Sequence, residues 1–382
     1  MDRSYTASVL DKLSPRRAAG KVALLLAATA LTLLVAEGVI RLMHDLPPGH
    51  REVWRTAFLV PVDDPELQFV NLPQSSPEPV SADGFRGTAL PRPRTPGVPR
   101  VAVLGDSVTF GPSVRHNETY TAQLGRMLGE RLGKTVETIN AAVPGYDIVQ
   151  VAAMYERRVR AFAPDLVIYG FFSNDLEAQR SLVVGDDPPK VVGVVPEFSL
   201  LPGEMLLPVS AHDALTRSSY LYCWINLRML DLFYDYQDLP DQMDEVTRRR
   251  GVNALQRLTE ATRADNVPLL VALLPPVVRR NRDLSICADP GVVSSPGWGA
   301  YCEYNERVLN FIGSQCARLR IPVADLRHSY EVRPDDSLAI HHQDPDHPNA
   351  LGHRLLAEGL LEPTLAQLVL DHVAPAPPTN TP

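Results

Sequence analysis

The sequence predicts an α/β fold class: a three-layer α/β/α domain around a central, mostly parallel five-stranded sheet, preceded by one N-terminal transmembrane helix. Two observations lead to this prediction. Five short apolar segments, continuous enough for strands buried on both faces, alternate with segments of helical periodicity. An apolar run near the N-terminus directly follows a group of cations, which is typical of a membrane-spanning helix.

The N-terminal region is typical of a membrane anchor, because the apolar run 22–36 follows three cations. These cations are Arg16, Arg17 and Lys21. Positive charge on that side predicts a cytoplasmic segment 1–21, a transmembrane signal anchor 22–43 and a periplasmic or cell-surface remainder. A cleaved signal peptide is the alternative. The anchor is favoured because no clean A-x-A site follows the run, and because Glu37 and Arg41 are spaced to pair at the outer interface.

Proline-rich stretches bound the globular part of the chain. Residues 44–99 are predicted to form a stalk and lead-in, because the stretch 72–100 contains too many prolines for regular structure, and 372–382 is predicted to form a disordered tail. Hydrophobic residues at 45% and charged residues at 21% are typical of a globular protein. The net charge of −8, without a basic cluster, excludes nucleic acid as an expected partner. The composition does not indicate the oligomeric state.

The domain between these stretches, 100–371, provides the five strands. In order they are RVAVLGD, TVETINAAVPG, DLVIYGFF, VPLLVALLPP and IPVADL. The clearest helix follows the first strand and carries an apolar stripe of Tyr120, Leu124, Leu128 and Leu132. In a parallel sheet of this kind, ligands bind beyond the carboxyl ends of the strands, so the residues that come after each strand are the candidates for a site.

A long insertion, 180–245, interrupts the alternation after the third strand. A connection in such a sheet normally takes about 2–6 residues. The front half of the insertion is rich in proline, whereas its back half has more apolar surface than a single exposed helix leaves in water. We expect the insertion to fold over the pocket and to select the acyl or alcohol group that enters. Packing of this apolar surface on the core is the alternative.

Residues with complementary chemistry come directly after the strand ends. Ser107 follows the first strand, Gly145 the second and Asn174 the third, while Asp344 and His347 come after the fifth. A serine hydroxyl becomes a good nucleophile when an imidazole takes its proton and a carboxylate orients that imidazole. The tetrahedral oxyanion then needs fixed donors, for which the N–H groups of Ser107 and Gly145 and the amide of Asn174 are candidates. We therefore predict a Ser-His-Asp triad and an oxyanion hole at this edge of the sheet.

These motifs, in this order, resemble those of the SGNH, or GDSL-type, serine hydrolase superfamily. The matching residues are Gly105-Asp106-Ser107, Gly145, Asn174-Asp175 and Asp344-Pro345-Asp346-His347. The resemblance extends over 100–365, and the segments DGFRG, TFG and NAAVPGYD are similar to its membrane-anchored, extracytoplasmic branch. One departure is that the glycine usually found two residues before the asparagine of the third motif is missing. The resemblance implies a flavodoxin-like sheet, a reaction through the triad named above, and no cofactor or metal.

The function predicted from these residues is that of a serine esterase that hydrolyses an O-acyl ester, of a carbohydrate or a lipid-linked substrate, through an acyl-enzyme. Two alternatives stay open: an O-acyltransferase that acts on cell-envelope glycans, and a non-catalytic surface protein on the same fold. The sequence contains no G-x-S-x-G, P-loop or G-x-G-x-x-G pattern. An α/β-hydrolase nucleophile elbow and a nucleotide-dependent enzyme are therefore not expected.

Three finer assignments also have alternatives. Asp346 competes with Asp344 as the triad acid, although Asp344 has the spacing of the superfamily. The histidines and aspartates of 341–353 are alternatively metal ligands. Cys287 and Cys302 flank a loop that a disulfide would close in an oxidising compartment. Unpaired, buried thiols are the other interpretation of these two cysteines.

Overall fold

The computed structural model covers the predicted anchor and most of the predicted domain. The described residues are 15–45, 59–73, 79–92, 94–112, 114–185, 189–196, 201–233, 243–277, 298–330, 338 and 346–361. The strands are β1 (Leu59–Pro61), β2 (Phe69–Asn71), β3 (Arg100–Gly105), β4 (Glu137–Asn140), β5 (Leu166–Phe171), β6 (Gln179–Val184), β7 (Lys190–Pro196), β8 (Leu269–Leu273) and β9 (Val323–Asp325). The α-helices are α1 (Pro15–Asp45), α2 (Ser107–Phe110), α3 (Tyr120–Leu132), α4 (Ile148–Arg157), α5 (Pro202–Leu206), α6 (Val209–Ser218), α7 (Tyr220–Phe233), α8 (Glu245–Ala264), α9 (Trp298–Leu319) and α10 (Ala350–Leu360).

The central sheet has five parallel strands in the order β4-β3-β5-β8-β9. They correspond to the five apolar segments that the sequence predicts as strands. Alternate side chains of a strand enter two separate cores, which explains why the three central strands, β3, β5 and β8, are almost entirely apolar. In β3, Ala102 and Leu104 pack with α4, α8 and α9, whereas Val101 and Val103 pack with α3 and α10. The predicted three-layer α/β/α fold is confirmed.

The predicted apolar stripe of α3 is buried at its first three positions and half-buried at Leu132. Thr119 caps the start of this helix by accepting a hydrogen bond from the Ala122 N–H at 3.3 Å. The helix ends at Gly133, whose φ of +63° is in the left-handed region that favours glycine. The stripe packs against one face of the sheet and closes that side of the core.

Part of the predicted stalk, 44–99, folds against the domain. Strands β1 and β2 pair in antiparallel fashion, and Phe69 and Val70 of β2 are buried in the main core. Further along, Arg86 forms isolated bridges with Val80 and with Asn140 at the end of β4. This departs from the expectation of an irregular lead-in. The physical reason is that the few large apolar side chains of this stretch gain burial against the sheet, which the proline content does not reveal.

Helix α1 confirms the apolar character of the N-terminal region. Residues Ala19–Leu42 form a stretch of 24 residues with a mean hydropathy of 2.2, long and apolar enough to cross a membrane by length and composition. Most of its leucine and valine side chains are exposed. A helix of this kind is either a membrane anchor or a signal sequence.

The insertion forms an antiparallel hairpin, β6-β7, followed by the three helices α5, α6 and α7. Its buried side chains form a small core together with one residue of α1. This core contains Ile40, Leu182, Val184, Val192, Leu201, Tyr220 and Cys223. Val183 and Val194 of the hairpin also pack against the main core of the domain. The apolar surface of the insertion is therefore shared between the sheet domain and the end of α1.

Glu37 connects the end of α1 with the start of α7 through hydrogen bonds. Its carboxylate accepts a hydrogen bond from the Ser219 hydroxyl at 2.7 Å. The N–H groups of Leu221 and Tyr220 donate to the same carboxylate at 2.9 and 3.1 Å, so Glu37 acts as the N-terminal cap of α7. Arg41 pairs with Glu37 at 2.6 Å, which confirms the i,i+4 contact that their spacing predicts.

The four cysteines differ in state. Cys302, in the first turns of α9, is disulfide-bonded. Cys223 and Cys316 are buried free thiols. Cys287 lies outside the described residues.

Candidate active site

Ser107 lies where β3 turns sharply into α2. Gly105 ends the strand, and a Cβ at this position would come within 2.8 Å of the Gly170 carbonyl oxygen, so only glycine fits here. Asp106 caps α2 by accepting a hydrogen bond from the Val108 N–H at 2.9 Å. Ser107 is the first residue of the helix and is half-buried, whereas its neighbours on both sides are buried. The turn thus presents a single partly accessible side chain at the carboxyl edge of the sheet.

His347 is within hydrogen-bond distance of Ser107, although 240 positions separate them: Nε2 lies 2.8 Å from Oγ. The imidazole is buried, with 9% of its surface exposed. It comes directly before α10, whose first turn is capped by Asn349 through the N–H groups of Leu351 and Gly352, both at 3.0 Å. The distance is the one expected for a nucleophile and its general base.

A second acceptor near the Ser107 hydroxyl is the fully buried carboxyl of Asp106, whose Oδ2 lies 3.4 Å from Oγ. Burial raises the pKa of Asp106, while the charge of His347 opposes this rise. A buried carboxyl with a raised pKa that already caps α2 is a structural group. The shorter distance makes His347 the better placed base for the Ser107 proton.

The two candidate triad acids are Asp344 and Asp346. Asp344 lies outside the described residues, so its predicted role stays a prediction. Asp346 accepts a hydrogen bond from the Tyr301 hydroxyl. Asp346 is held by this tyrosine of α9 and directly precedes His347 in the chain, which favours a supporting role for it.

Gly145 follows β4, the strand next to β3. The loop that carries it is tied to the end of β3, because the Val143 N–H donates to the Gly105 carbonyl at 3.1 Å. Gly145 has a φ of +81°, and a Cβ there would meet Val194 of the β6-β7 hairpin at 2.9 Å. Both the backbone angle and the close packing require glycine. The insertion therefore reaches the edge of the candidate site through Val194.

Asn174 lies in a short 3-10 turn, Ser173–Leu176, directly after β5. The fully buried Asp175 holds this turn by accepting hydrogen bonds from the Tyr169 hydroxyl at 2.9 Å and from the Phe172 N–H at 3.1 Å. Burial raises the pKa of Asp175 well above its ordinary value. Phe172 occupies the position where the superfamily has glycine; its φ of −110° is open to any residue, so the departure does not disturb the turn.

Three hydrogen-bond donors at this edge have no acceptor among the described residues. They are the Ser107 N–H, the Gly145 N–H and the Asn174 side-chain amide nitrogen. The first is a free donor because Ser107 begins a helix. Since β4, β3 and β5 are neighbours and parallel, all three donors follow strand ends on the same edge of the sheet.

Two residues that hold the nucleophile turn were not identified as site residues from the sequence. Arg86 is buried and donates to the Phe110 carbonyl at 2.9 Å and to the Gly111 and Val114 carbonyls. Asn140 donates to the Thr109 carbonyl at 3.0 Å. Both fix the backbone just after Ser107. The sequence did contain a signal for these two residues, because Arg86 lies in the DGFRG segment and Asn140 in the NAAVPGYD segment, both of which resemble the superfamily.

A metal site is not found in the part of the chain that the structure describes, where no group of three or more histidine, cysteine, aspartate or glutamate side chains could hold an ion. His353 is inside α10, fully buried and stacked on Tyr120. Burial lowers its pKa to about 3, so it stays neutral. His341 and His342 lie outside the described residues.

The comparisons with known proteins agree with these motifs. The model of the GDSL-like Lipase/Acylhydrolase family matches residues 103–355. Among solved structures, a lipolytic protein of the G-D-S-L family from Veillonella parvula DSM 2008 is 13% identical, with a TM-score of 0.39 and coverage of 69% of this chain and 97% of that chain. A lipase from a goat rumen metagenome is 15% identical, with a TM-score of 0.40 and coverage of 69% and 96%. A variant of an acetyl-xylooligosaccharide esterase from Geobacillus Stearmophilus is 16% identical, with a TM-score of 0.40 and coverage of 69% and 94%. No curated protein matches the sequence.

Proposed function

The chain belongs to the GDSL-like lipase/acylhydrolase family, and on that basis we propose that it is a serine esterase that hydrolyses an O-acyl ester through an acyl-enzyme. The observation that carries the proposal is the distance of 2.8 Å between Ser107 Oγ and His347 Nε2. Ser107 is half-buried, whereas its neighbours on both sides are buried, so it is the accessible residue of this turn. Asp106 lies farther from the hydroxyl, at 3.4 Å, and already caps α2, so His347 is the better placed group to take the proton.

In the first half-reaction, Ser107 Oγ attacks the ester carbonyl carbon while His347 Nε2 takes the hydroxyl proton. The C–O bond to the alcohol then breaks, and His347 returns the proton to the leaving alcohol. In the second half-reaction a water molecule gives a proton to His347 and attacks the acyl-enzyme; the acid leaves and Ser107 recovers its proton. Asp344 is proposed to orient His347, on the strength of its spacing in the family motif.

The negative charge of both tetrahedral intermediates develops on the former carbonyl oxygen. The N–H groups of Ser107 and Gly145 and the amide of Asn174 are proposed to bind it, because these donors have no other acceptor among the described residues. Losing one such donor typically lowers the rate about 10²–10³-fold.

We further propose that α1 is an uncleaved membrane anchor and that the catalytic domain is extracytoplasmic. The hydrogen bonds between Glu37 and the start of α7 support the anchor. A cut at the end of the apolar run would turn these docked residues into a new N-terminus and remove the helix that presents them. This position, and the apolar insertion beside Gly145, support an acylated carbohydrate or lipid-linked alcohol of the envelope as the substrate.

The test uses the full-length chain in lipid nanodiscs, a serine-directed fluorophosphonate probe and a panel of esters with increasing acyl length. We expect labelling and acetate release that both disappear in Ser107→Ala. Ser314→Ala, on the exposed face of α9, is the matched control and should behave as wild type. Equal labelling of Ser107→Ala and wild type would refute the assignment of Ser107 as the nucleophile. If a glycan acceptor is added and acetylated glycan forms in place of free acetate, the protein is an acyltransferase instead of an esterase.

A further inference from the structure

Helix α9 carries three polar side chains that reach the turn of Asn174 and the residue before His347. Asn305 binds Ser173, Tyr304 binds Glu177, and Tyr301 binds Asp346. All three side chains of α9 are buried. Tyr301 and Asn305 are four residues apart and therefore lie on the same face of the helix. None of the three belongs to a motif of the family, and the mechanism above does not use them.

Asn305 fixes the residue directly before Asn174. The Ser173 hydroxyl donates to Asn305 Oδ1. The amide nitrogen of Asn305 donates to the Tyr301 carbonyl at 2.8 Å. Because the nitrogen is committed to a carbonyl of its own helix, the oxygen has to face Ser173. The turn that carries Asn174 is thus tied at its first residue to a rigid helix.

Tyr304 fixes the other end of the same turn. Its hydroxyl donates to Glu177 Oε1 at 2.9 Å, and Glu177 is the residue that directly follows the 3-10 turn. Both groups are buried, so the hydrogen bond does not compete with bulk water. Asn174 therefore lies between two attachment points that belong to one helix.

Tyr301 connects α9 with the residue directly before His347. Its hydroxyl donates to Asp346, and Asp346 is the residue directly before His347. The same face of α9 therefore holds the backbone next to the proposed base and the backbone next to a proposed oxyanion donor.

We propose that Asn305 and Tyr301 are positioning residues of the esterase reaction, which together fix Asn174 and His347 in relation to each other and to Ser107. The proposal rests on the esterase function proposed above. The oxyanion appears only in the transition state, so a donor that is displaced by a fraction of an ångström loses transition-state binding while substrate binding is retained. The effect of removing a positioning residue should therefore appear in kcat and leave KM almost unchanged.

The first test is a double-mutant cycle between Asn305→Ala and Asn174→Ala in the full-length protein, with kcat measured on a short acetyl ester. We expect Asn305→Ala alone to lower kcat about 10–100-fold at nearly constant KM. In the Asn174→Ala background the same change should cost less than about threefold, because the donor that Asn305 positions is already absent. An equal loss in both backgrounds, or no loss in the wild type, would overturn the role of Asn305.

Ser173→Ala removes the same hydrogen bond from the other side with a smaller change in volume, and it keeps the test valid if Asn305→Ala does not fold. It should show the same loss of kcat and the same dependence on Asn174.

The second test replaces only a hydroxyl. Tyr301→Phe should lower kcat about tenfold at constant KM, because Asp346 loses this hydrogen bond and the backbone before His347 loses this contact with α9. The matched control is Tyr155→Phe: Tyr155 is also buried and also donates to an aspartate, Asp265, at 2.8 Å, but it lies on α4. The control should keep the wild-type kcat. An equal effect of the two substitutions on kcat would overturn the role of Tyr301.

Ser107→Ala, measured in the same assay, separates the two proposals. Loss of hydrolysis in Ser107→Ala together with additive effects of Asn305 and Asn174 refutes the positioning role alone. Retained hydrolysis in Ser107→Ala refutes the proposed function.

Discussion

Replacement of Glu177 by glutamine should make the protein more stable at alkaline pH and leave its stability at acidic pH almost unchanged. Burial raises the pKa of Glu177 from 4.5 to about 7; the hydrogen bond from Tyr304 opposes the rise, and the charge of Asp346 adds to it. Glutamine has nearly the shape of the protonated carboxyl and can accept the same hydrogen bond from Tyr304. The variant therefore imitates the neutral form of Glu177 at every pH.

Proton binding to Glu177 decides whether the free energy of unfolding rises or falls with pH. Between pH 4.5 and about 7 the folded protein holds a proton on Glu177 that the unfolded chain has released, so the free energy of unfolding falls as the pH rises through this window. The stabilisation is fully present below the unfolded pKa and is lost once the pH exceeds the folded pKa. Each tenfold change in an ionisation constant corresponds to about 1.4 kcal/mol, so the wild type loses roughly 2–3 kcal/mol between pH 5 and pH 8 through this one group. The glutamine variant lacks this loss.

The assay is thermal unfolding of the full-length chain in nanodiscs at pH 5 and at pH 8. For a domain of this size, about 2–3 kcal/mol corresponds to a shift of roughly 5 °C in Tm. We expect Glu177→Gln to unfold about 5 °C above wild type at pH 8 and close to wild type at pH 5. Glu260→Gln, at an exposed position of α8, is the control and should show the same small difference at both pH values. A Tm difference for Glu177→Gln that does not change with pH would refute the buried, proton-binding role of this carboxyl.

Three further outcomes are expected. Asn174→Ala should lower kcat about 10²–10³-fold, whereas Ser107→Ala should remove nearly all hydrolysis; steady-state kinetics with equal, mild losses would contradict the nucleophile assignment. Asp344→Asn should reduce kcat more than Asp346→Asn, and the reverse order in the same kinetic comparison would exchange their roles. Carbonate washing of membranes should leave the full-length chain in the pellet, as immunoblotting can show, and a soluble periplasmic chain that begins near Glu37 would instead indicate a cleaved signal.

The sheet could be predicted from the sequence because its signal is local. Each of the three central strands, such as 100–105, is a short apolar run that ends in a turn, and parallel strands bring their carboxyl-terminal turns to one edge of the sheet. That rule is enough to bring Ser107 and His347 together across the length of the domain. The residue types of the third site motif are those of a turn, and Asn174 lies in a single 3-10 turn.

The contacts that the sequence could not predict join distant segments. Nothing in the local pattern around Phe69 shows that it pairs with Pro61 and enters the main core. The pairing of Ser173 with Asn305 joins residues 132 positions apart, and no motif marks Asn305. Polar side chains of this kind look like ordinary surface residues in a sequence, because their partners are decided only when helices pack on the sheet.

The cap that Glu37 places on α7 changes how the catalytic domain meets its surroundings. If α1 is the proposed membrane anchor and only the chain between Asp45 and Leu59 joined it to the domain, Ser107 would range over roughly 45 Å above the lipid, which is the fully extended length of that many residues. With the second attachment, the proposed enzyme keeps one height and one tilt. It then samples substrates in a thin layer parallel to the membrane, and its turnover depends on their density per unit area of envelope rather than on their bulk concentration.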